Sequence, residues 1–123
     1  MAIQTPLPGT HIKDLDTPCL IIDLDALDHN YRAVAKTFSN SLSKMRQHTK
    51  NIKSPLLARM QMDAGGSMGG ICTAKVSEAE VMASSGITDI LIANQIVDHD
   101  KIIRLCSLNK NADVKVCVDS EHN

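Results

Sequence analysis

Met45-Arg46-Gln47-His48-Thr49-Lys50-Asn51-Ile52-Lys53-Ser54-Pro55 is the stretch from which the rest of the chain can be read. Ser54-Pro55 is a helix start. The serine caps free backbone N–H groups, and proline at the first helical position gives up no needed donor. The residues before it are then a strand and its exit loop. The period of two along a strand puts Arg46, His48 and Lys50 on one face. A parallel strand buried on both faces reads as Val, Ile and Leu, whereas three basic groups are costly to bury unless something uses them. On composition alone a solvated edge strand or a basic loop stands equally well.

Working outward, residues 1–16 read as an irregular lead-in. Thr17-Pro18 opens Cys19-Leu20-Ile21-Ile22-Asp23-Leu24, an apolar run with the pattern of a buried strand. Asp25 can cap a helix with the stripe Leu27, Tyr31, Val34 and Phe38, closed by Ser39-Asn40-Ser41. Beyond Pro55, Leu56, Leu57, Met60 and Ala64 form a second stripe that stops at Gly65-Gly66. Ser67 to Thr73, with Met68, Ile71 and Cys72 among glycines, reads as a strand approached closely by backbone or ligand. Ser77-Glu78-Ala79-Glu80 has the capping-box pattern, and the helix it starts carries Val81 and Met82 and ends at Gly86. Asp89 to Ala93 is a buried strand followed by Asn94-Gln95. Asp98 caps a helix with Ile102, Leu105, Cys106 and Leu108, and Val114, Val116 and Val118 alternate in a last strand ending at Asp119-Ser120.

Strands are therefore expected near 18–24, 45–50, 68–73, 89–93 and 113–118, with four helices between them. Alternation with short connections is the pattern of an α/β fold with a parallel sheet and right-handed crossovers. The last four strands should form that sheet, while the 18–24 strand points away from it. Ligands in such folds sit beyond the carboxyl ends of the strands, where Lys50, Thr73, Asn94, Gln95, Asp119 and Ser120 fall. Loops are polar in any case, so this placement does not by itself make a site.

With 123 residues there is room for one domain with a core. Thirteen Lys and Arg against 14 Asp and Glu give no electrostatic footprint for nucleic acid or a membrane. The absence of Trp, with one Tyr and one Phe, argues against base-stacking platforms. Cys19, Cys72, Cys106 and Cys117 are widely spaced, without a C-x-x-C. They read as buried or half-buried thiols of a reducing compartment. The N-terminus lacks a secretory pattern and no apolar run reaches spanning length, so a soluble cytoplasmic protein is expected.

His48-Thr49-Lys50-Asn51-Ile52-Lys53-Ser54-Pro55 resembles the lysine motif of the fold-type III pyridoxal-phosphate enzymes of the D-threonine aldolase and D-serine dehydratase group. The usual form there is Arg-Pro-His-x-Lys-Thr-His-Lys. Gln47 stands in place of the proline, and Asn51-Ile52 in place of Thr-His. Thr17-Pro18-Cys19-Leu20-Ile21-Ile22-Asp23-Leu24-Asp25-Ala26-Leu27, the stretch from Gly70 to Glu80, and Asp89 to Gln95 are also similar to that group. The resemblance runs from about Thr17 to Asn123. It implies an alanine-racemase-like architecture: a (β/α)8 TIM-type barrel, present here only in its opening units, followed by a β domain. Residues 17–123 would be the N-terminal part of the cofactor-binding barrel domain. Lys50 would form the Schiff base with pyridoxal phosphate and serve as acid and base, and His48 would pack near the cofactor or tune Lys50. A histidine hydrogen-bonded in the barrel wall is the alternative for His48. An amine attacks an aldehyde only when neutral, from an ordinary lysine value of about 10.4, and Arg46, His48 and Lys53 are the neighbours expected to lower it.

The implied function is a lyase acting on a D-β-hydroxy-amino acid, by aldol cleavage or dehydration, on a small-molecule substrate in a homo-oligomer. A racemase, a non-catalytic carrier of the cofactor, or an inactive barrel fragment are the alternatives. A divalent metal is possible in a complete enzyme, with no ligands for it expected in this chain. Eight strands need about 250 residues. The chain by itself is therefore expected to associate, to expose Ile90, Ile92, Val114, Val116 and Val118, and to lack cleavage activity.

Overall fold

A computed structural model describes residues 5–67, 69–121 and 123. Residues 1–4 of the expected lead-in, Met68 of the expected strand, and His122 lie outside the described residues. The local signals at Ser54 and Asp98 act as read. Ser54 accepts the Leu57 N–H with Pro55 at the first helical position, and Asp98 accepts the Lys101 N–H at 3.0 Å. They begin two of the four α-helices among the described residues, α1 (Leu24–Phe38), α2 (Pro55–Asp63), α3 (Val76–Ser84) and α4 (His99–Leu108). Between them lie β1 (Gln47–His48), β2 (Ile71–Thr73), β3 (Asp89–Ile92) and β4 (Asp113–Val116). The strands pair in the order β1-β2-β3-β4, all parallel. This is the arrangement of consecutive βα units in a barrel of (β/α)8 type, of which four strands are present.

The register sorts the strand residues onto two faces. Gln47, Ile71, Ile90 and Val114 form one row across the sheet, and His48, Cys72, Leu91 and Lys115 the next, pointing the other way. The first row belongs to the core, where Ile71, Ile90 and Ile92 are wholly enclosed with Ala58, Val76, Ala79, Met82 and Ile87. Ile90, Ile92 and Val114 thus do not meet water as expected. They face α2 to α4, and the opposite face is the uncovered one. Val116 packs partly against the same core, while Val118 lies beyond the end of β4 and is exposed.

Other expectations are corrected. Residues 18–23 form no strand: the segment pairs with none of the described strands, and Leu20, Ile21 and Ile22 stand in solvent. Asp23, not Asp25, caps α1, accepting the Ala26 N–H at 2.9 Å. The α1 stripe holds, with Tyr31 buried and its hydroxyl donating to the Leu57 carbonyl. In α2 the small Ala58 meets the sheet and Leu56 is exposed, because close packing onto β1 favours the methyl side chain. Ser77 makes no capping box. Helix α3 starts two residues earlier, with Lys75 at the cap position, and Glu78 reaches back to accept the Ala74 N–H. In α4, Leu105 and Leu108 pack on the core, but Ile102 and Cys106 are exposed. Cys19 is exposed too, whereas Cys72 is buried and Cys117 half-buried.

Candidate active site

The uncovered face begins, at the amino ends of the strands, with paired charges. Arg46 crosses β2 to reach Asp89 through two hydrogen bonds of 2.9 and 3.0 Å, and Lys115 joins Asp89 at 3.1 Å and Asp113 at 2.5 Å. The crossing needs Gly70, whose φ is +76; a Cβ there would stand 2.3 Å from the Asp89 carbonyl and 2.7 Å from the Arg46 guanidinium. Arg46's hydrogen bonds, helped by Lys115 and opposed by burial, hold the Asp89 carboxyl below its usual range. Further along the same face lie Cys72, whose thiol burial pushes up, and its register partner His48.

Lys50 follows at the carboxyl end. Strand pairing stops at His48, and the chain turns at once: Thr49 donates its hydroxyl to the Cys72 carbonyl at 3.0 Å, and its N–H to the same oxygen at 2.9 Å. The Thr49 carbonyl then accepts the N–H groups of Ile52 and Lys53, at 3.2 and 2.8 Å. Closing that turn puts Lys53 at φ +43, a left-handed conformation unusual for a residue with a Cβ. The Lys50 N–H donates to His48 Nδ1 at 3.2 Å, so the two expected site residues are brought together through the backbone of one and the ring of the other. This sets the His48 ring as acceptor at Nδ1. Lys50 itself is exposed, and its ammonium forms no ion pair among the described residues. Two of the cations expected beside it are otherwise engaged, Arg46 with Asp89 and Lys53 with Glu78 at 3.5 Å.

The remaining strand-end residues divide. Thr73 is fully buried and structural. Asn94 ties the β2 and β3 exits together by donating to the Ala74 carbonyl at 3.0 Å. Gln95 donates to Asp119 at 2.9 Å, and Asn123 donates to the other oxygen of that carboxylate. Sequence reading missed the Arg46–Asp89–Lys115 network, although the glycines before β2 signalled a close approach. It also missed Glu78, which it had placed inside a capping box. What the arrangement offers chemically is a primary amine, paired with no carboxylate among the described residues, on a turn fixed by backbone bonds at the carboxyl end of a parallel sheet. No helix among the described residues is long and apolar enough to cross a membrane.

Comparison with known proteins shows what the chain as a whole is similar to. The family described as alanine racemase, N-terminal domain, matches residues 22–123. The 3-hydroxy-D-aspartate aldolase of Paracoccus denitrificans is 43% identical over 118 residues, which are 95% of this chain and 30% of that protein. Among solved structures, D-threonine aldolase from Filomicrobium marinum superposes with a TM-score of 0.83 at 42% identity, covering 89% of this chain and 29% of the other. D-threo-3-hydroxyaspartate dehydratase from Delftia sp. HT23 gives 0.78 at 33% identity, covering 87% and 28%. The chain therefore spans about 30% of the length of the Paracoccus aldolase.

Proposed function

Because the chain belongs to the alanine racemase N-terminal domain family, we propose that residues 17–123 are the lysine-bearing part of a pyridoxal-phosphate-dependent lyase for D-β-hydroxy-amino acids. The relatives named above include aldolases and a dehydratase, and both reactions start from such a substrate. The observation that carries the reading is Lys50: an amine without an ion-pair partner among the described residues, on the turn that leaves β1 at the carboxyl end of the sheet.

These residues fit the cofactor. Its aldehyde requires an amine not held by a carboxylate, and Lys50 is the residue that would hold it. When bound, pyridoxal phosphate supplies an electron sink for charge developing at the substrate α-carbon. His48 keeps the Lys50 backbone in place through the 3.2 Å bond to Nδ1, which leaves the flexible side chain to move. Lys50 Nζ would be the group of this chain able to move a proton at the substrate α-carbon or β-hydroxyl.

The test is reduction with borohydride in the presence of pyridoxal phosphate, followed by peptide mapping. The expected result is stable labelling of Lys50, lost in Lys50→Ala. A label on Lys53 or Lys75 in place of Lys50 would refute the assignment. In a version of the protein as long as its relatives, production of glycine and acetaldehyde from D-threonine, or of pyruvate and ammonia from D-serine, then separates a lyase from a racemase or a carrier.

A further inference from the structure

Two lysines three residues apart flank the same turn, and among the described residues only one of them has an ion-pair partner. Lys53 Nζ lies 3.5 Å from Glu78 Oε1, while the other carboxylate oxygen of Glu78 accepts the Ala74 N–H at 2.8 Å. Lys53 and Glu78 line a cleft of about 310 Å3 with Thr49 and Met82, on the helix side of the turn, and Lys50 is not part of its wall. We propose that Glu78 decides which amine of this turn reacts with an aldehyde, by engaging the Lys53 side chain in an ion pair and leaving Lys50 as the available nucleophile. This rests on the reading of Lys50 as the cofactor lysine, and names the residue that gives it selectivity over its neighbour.

The chemistry supports the division of roles. Condensation joins the amine nitrogen to the aldehyde carbon and expels one water, with the aldehyde's oxygen and both hydrogens of the neutral amine. A nitrogen turned toward the Glu78 carboxylate is not presented to an aldehyde in that position. Glu78 is suited to the task because its side chain is only 16% exposed and is fixed by a backbone donor, so it is not free to swing away. Burial pushes its carboxyl up. The Ala74 N–H and the charges of Lys53 and Lys75 outweigh that and hold it below the usual range, so it is a carboxylate at neutral pH. The Lys53 backbone is held at φ +43 with its N–H bonded to the Thr49 carbonyl, which sets the point from which its side chain reaches Glu78.

The experiment compares the wild type with Glu78→Gln, which keeps an acceptor for the Ala74 N–H and removes the charge. After pyridoxal phosphate and borohydride, the share of label on Lys53 relative to Lys101 and Lys110 should rise roughly two- to fivefold, the range of an exposed ion pair. High salt on the unmutated protein should move the same ratio in the same direction, since it screens the pair without touching the fold. An unchanged Lys53 ratio in both arms, or an equal rise at all three lysines, overturns the inference. Acetic anhydride, which needs no cofactor site, serves as a second probe. A rise at Lys53 with that reagent in Glu78→Gln upholds the role of Glu78 even where Lys50 fails to take up pyridoxal phosphate, an outcome that would count against the cofactor reading alone.

Discussion

On the helix side of the sheet, Ile71, Ile90 and Ile92 are fully enclosed in an apolar cluster. On the other side Arg46, His48, Asp89 and Lys115 are held by ion pairs and hydrogen bonds and partly open to water, beside the buried Cys72 and half-buried Leu91. The first face is fixed by area removed from water, which is non-directional and large. The second is fixed by directed bonds between half-exposed groups, each worth little because solvent competes for it. Stability and chemistry are thereby separated by a single residue step along each strand. A change on one face should cost folding, and a change on the other should cost little but function.

The sharpest way to break that comparison uses adjacent residues of β3. Ile92→Ala removes three carbons from a fully enclosed site and should lower unfolding free energy by about 3 kcal/mol, whereas Leu91→Ala, half-buried on the open face, should lower it by about 1. Urea denaturation of both variants measures the difference. Equal losses would mean that the open face carries as much packing as the covered one.

A smaller effect belongs to the charged end of the open face. Asp89 has its carboxyl lowered chiefly by Arg46, so its contribution is fully present above the unfolded value near pH 4 and fades as pH falls through the lower folded value. With the Asp89 side chain 43% exposed, solvent screening limits that contribution to about 1 kcal/mol. Asp89→Asn should therefore be less stable than the wild type at pH 7, with the gap closing as the pH is taken below 4. A gap that stays constant across that range would show that Arg46 acts there only as a space-filling side chain.

The same division explains what could be read from the chain. Helix starts at Ser54 and Asp98, and the parallel order of four strands, rest on local chemistry and on periodicity, which act within a few residues. Which face of β3 and β4 would be covered was misread, because Asp89-Ile90-Leu91-Ile92 is apolar at three of four positions and only neighbouring helices decide between Ile90 and Leu91. The run from 18 to 23 has the composition of a strand, but a strand is a property of pairs, and composition does not supply the partner. The Lys50 N–H and His48 ring meet across two residues of one motif, a contact of local reach. Arg46–Asp89 spans 43 residues, and Glu78 meets Lys53 from another helix; contacts of that reach leave only indirect marks, such as Gly70.

The smallest expected structural effect is at the residue to which the proposed chemistry assigns most. Lys50→Ala removes a side chain that is exposed, forms no ion pair among the described residues and packs against none of the core. The bonds that hold its turn survive the change. The N–H to His48 Nδ1 and the closure onto the Thr49 carbonyl are made by backbone atoms, and the Thr49 hydroxyl still reaches Cys72. Alanine also keeps a Cβ, so the unfolded chain gains none of the freedom that glycine would bring. The unfolding free energy should therefore stay within about 0.5 kcal/mol of the wild type, the range of surface changes that touch no special feature. Capture of pyridoxal phosphate at residue 50 should nevertheless be abolished, with any residual label at this turn confined to Lys53. Urea denaturation and borohydride labelling on one preparation read both quantities together. A loss of about 2 kcal/mol or more, well outside that surface range, would place the Lys50 side chain within the structure of the turn. It would end the separation of stability from chemistry at the site where that separation should be most complete.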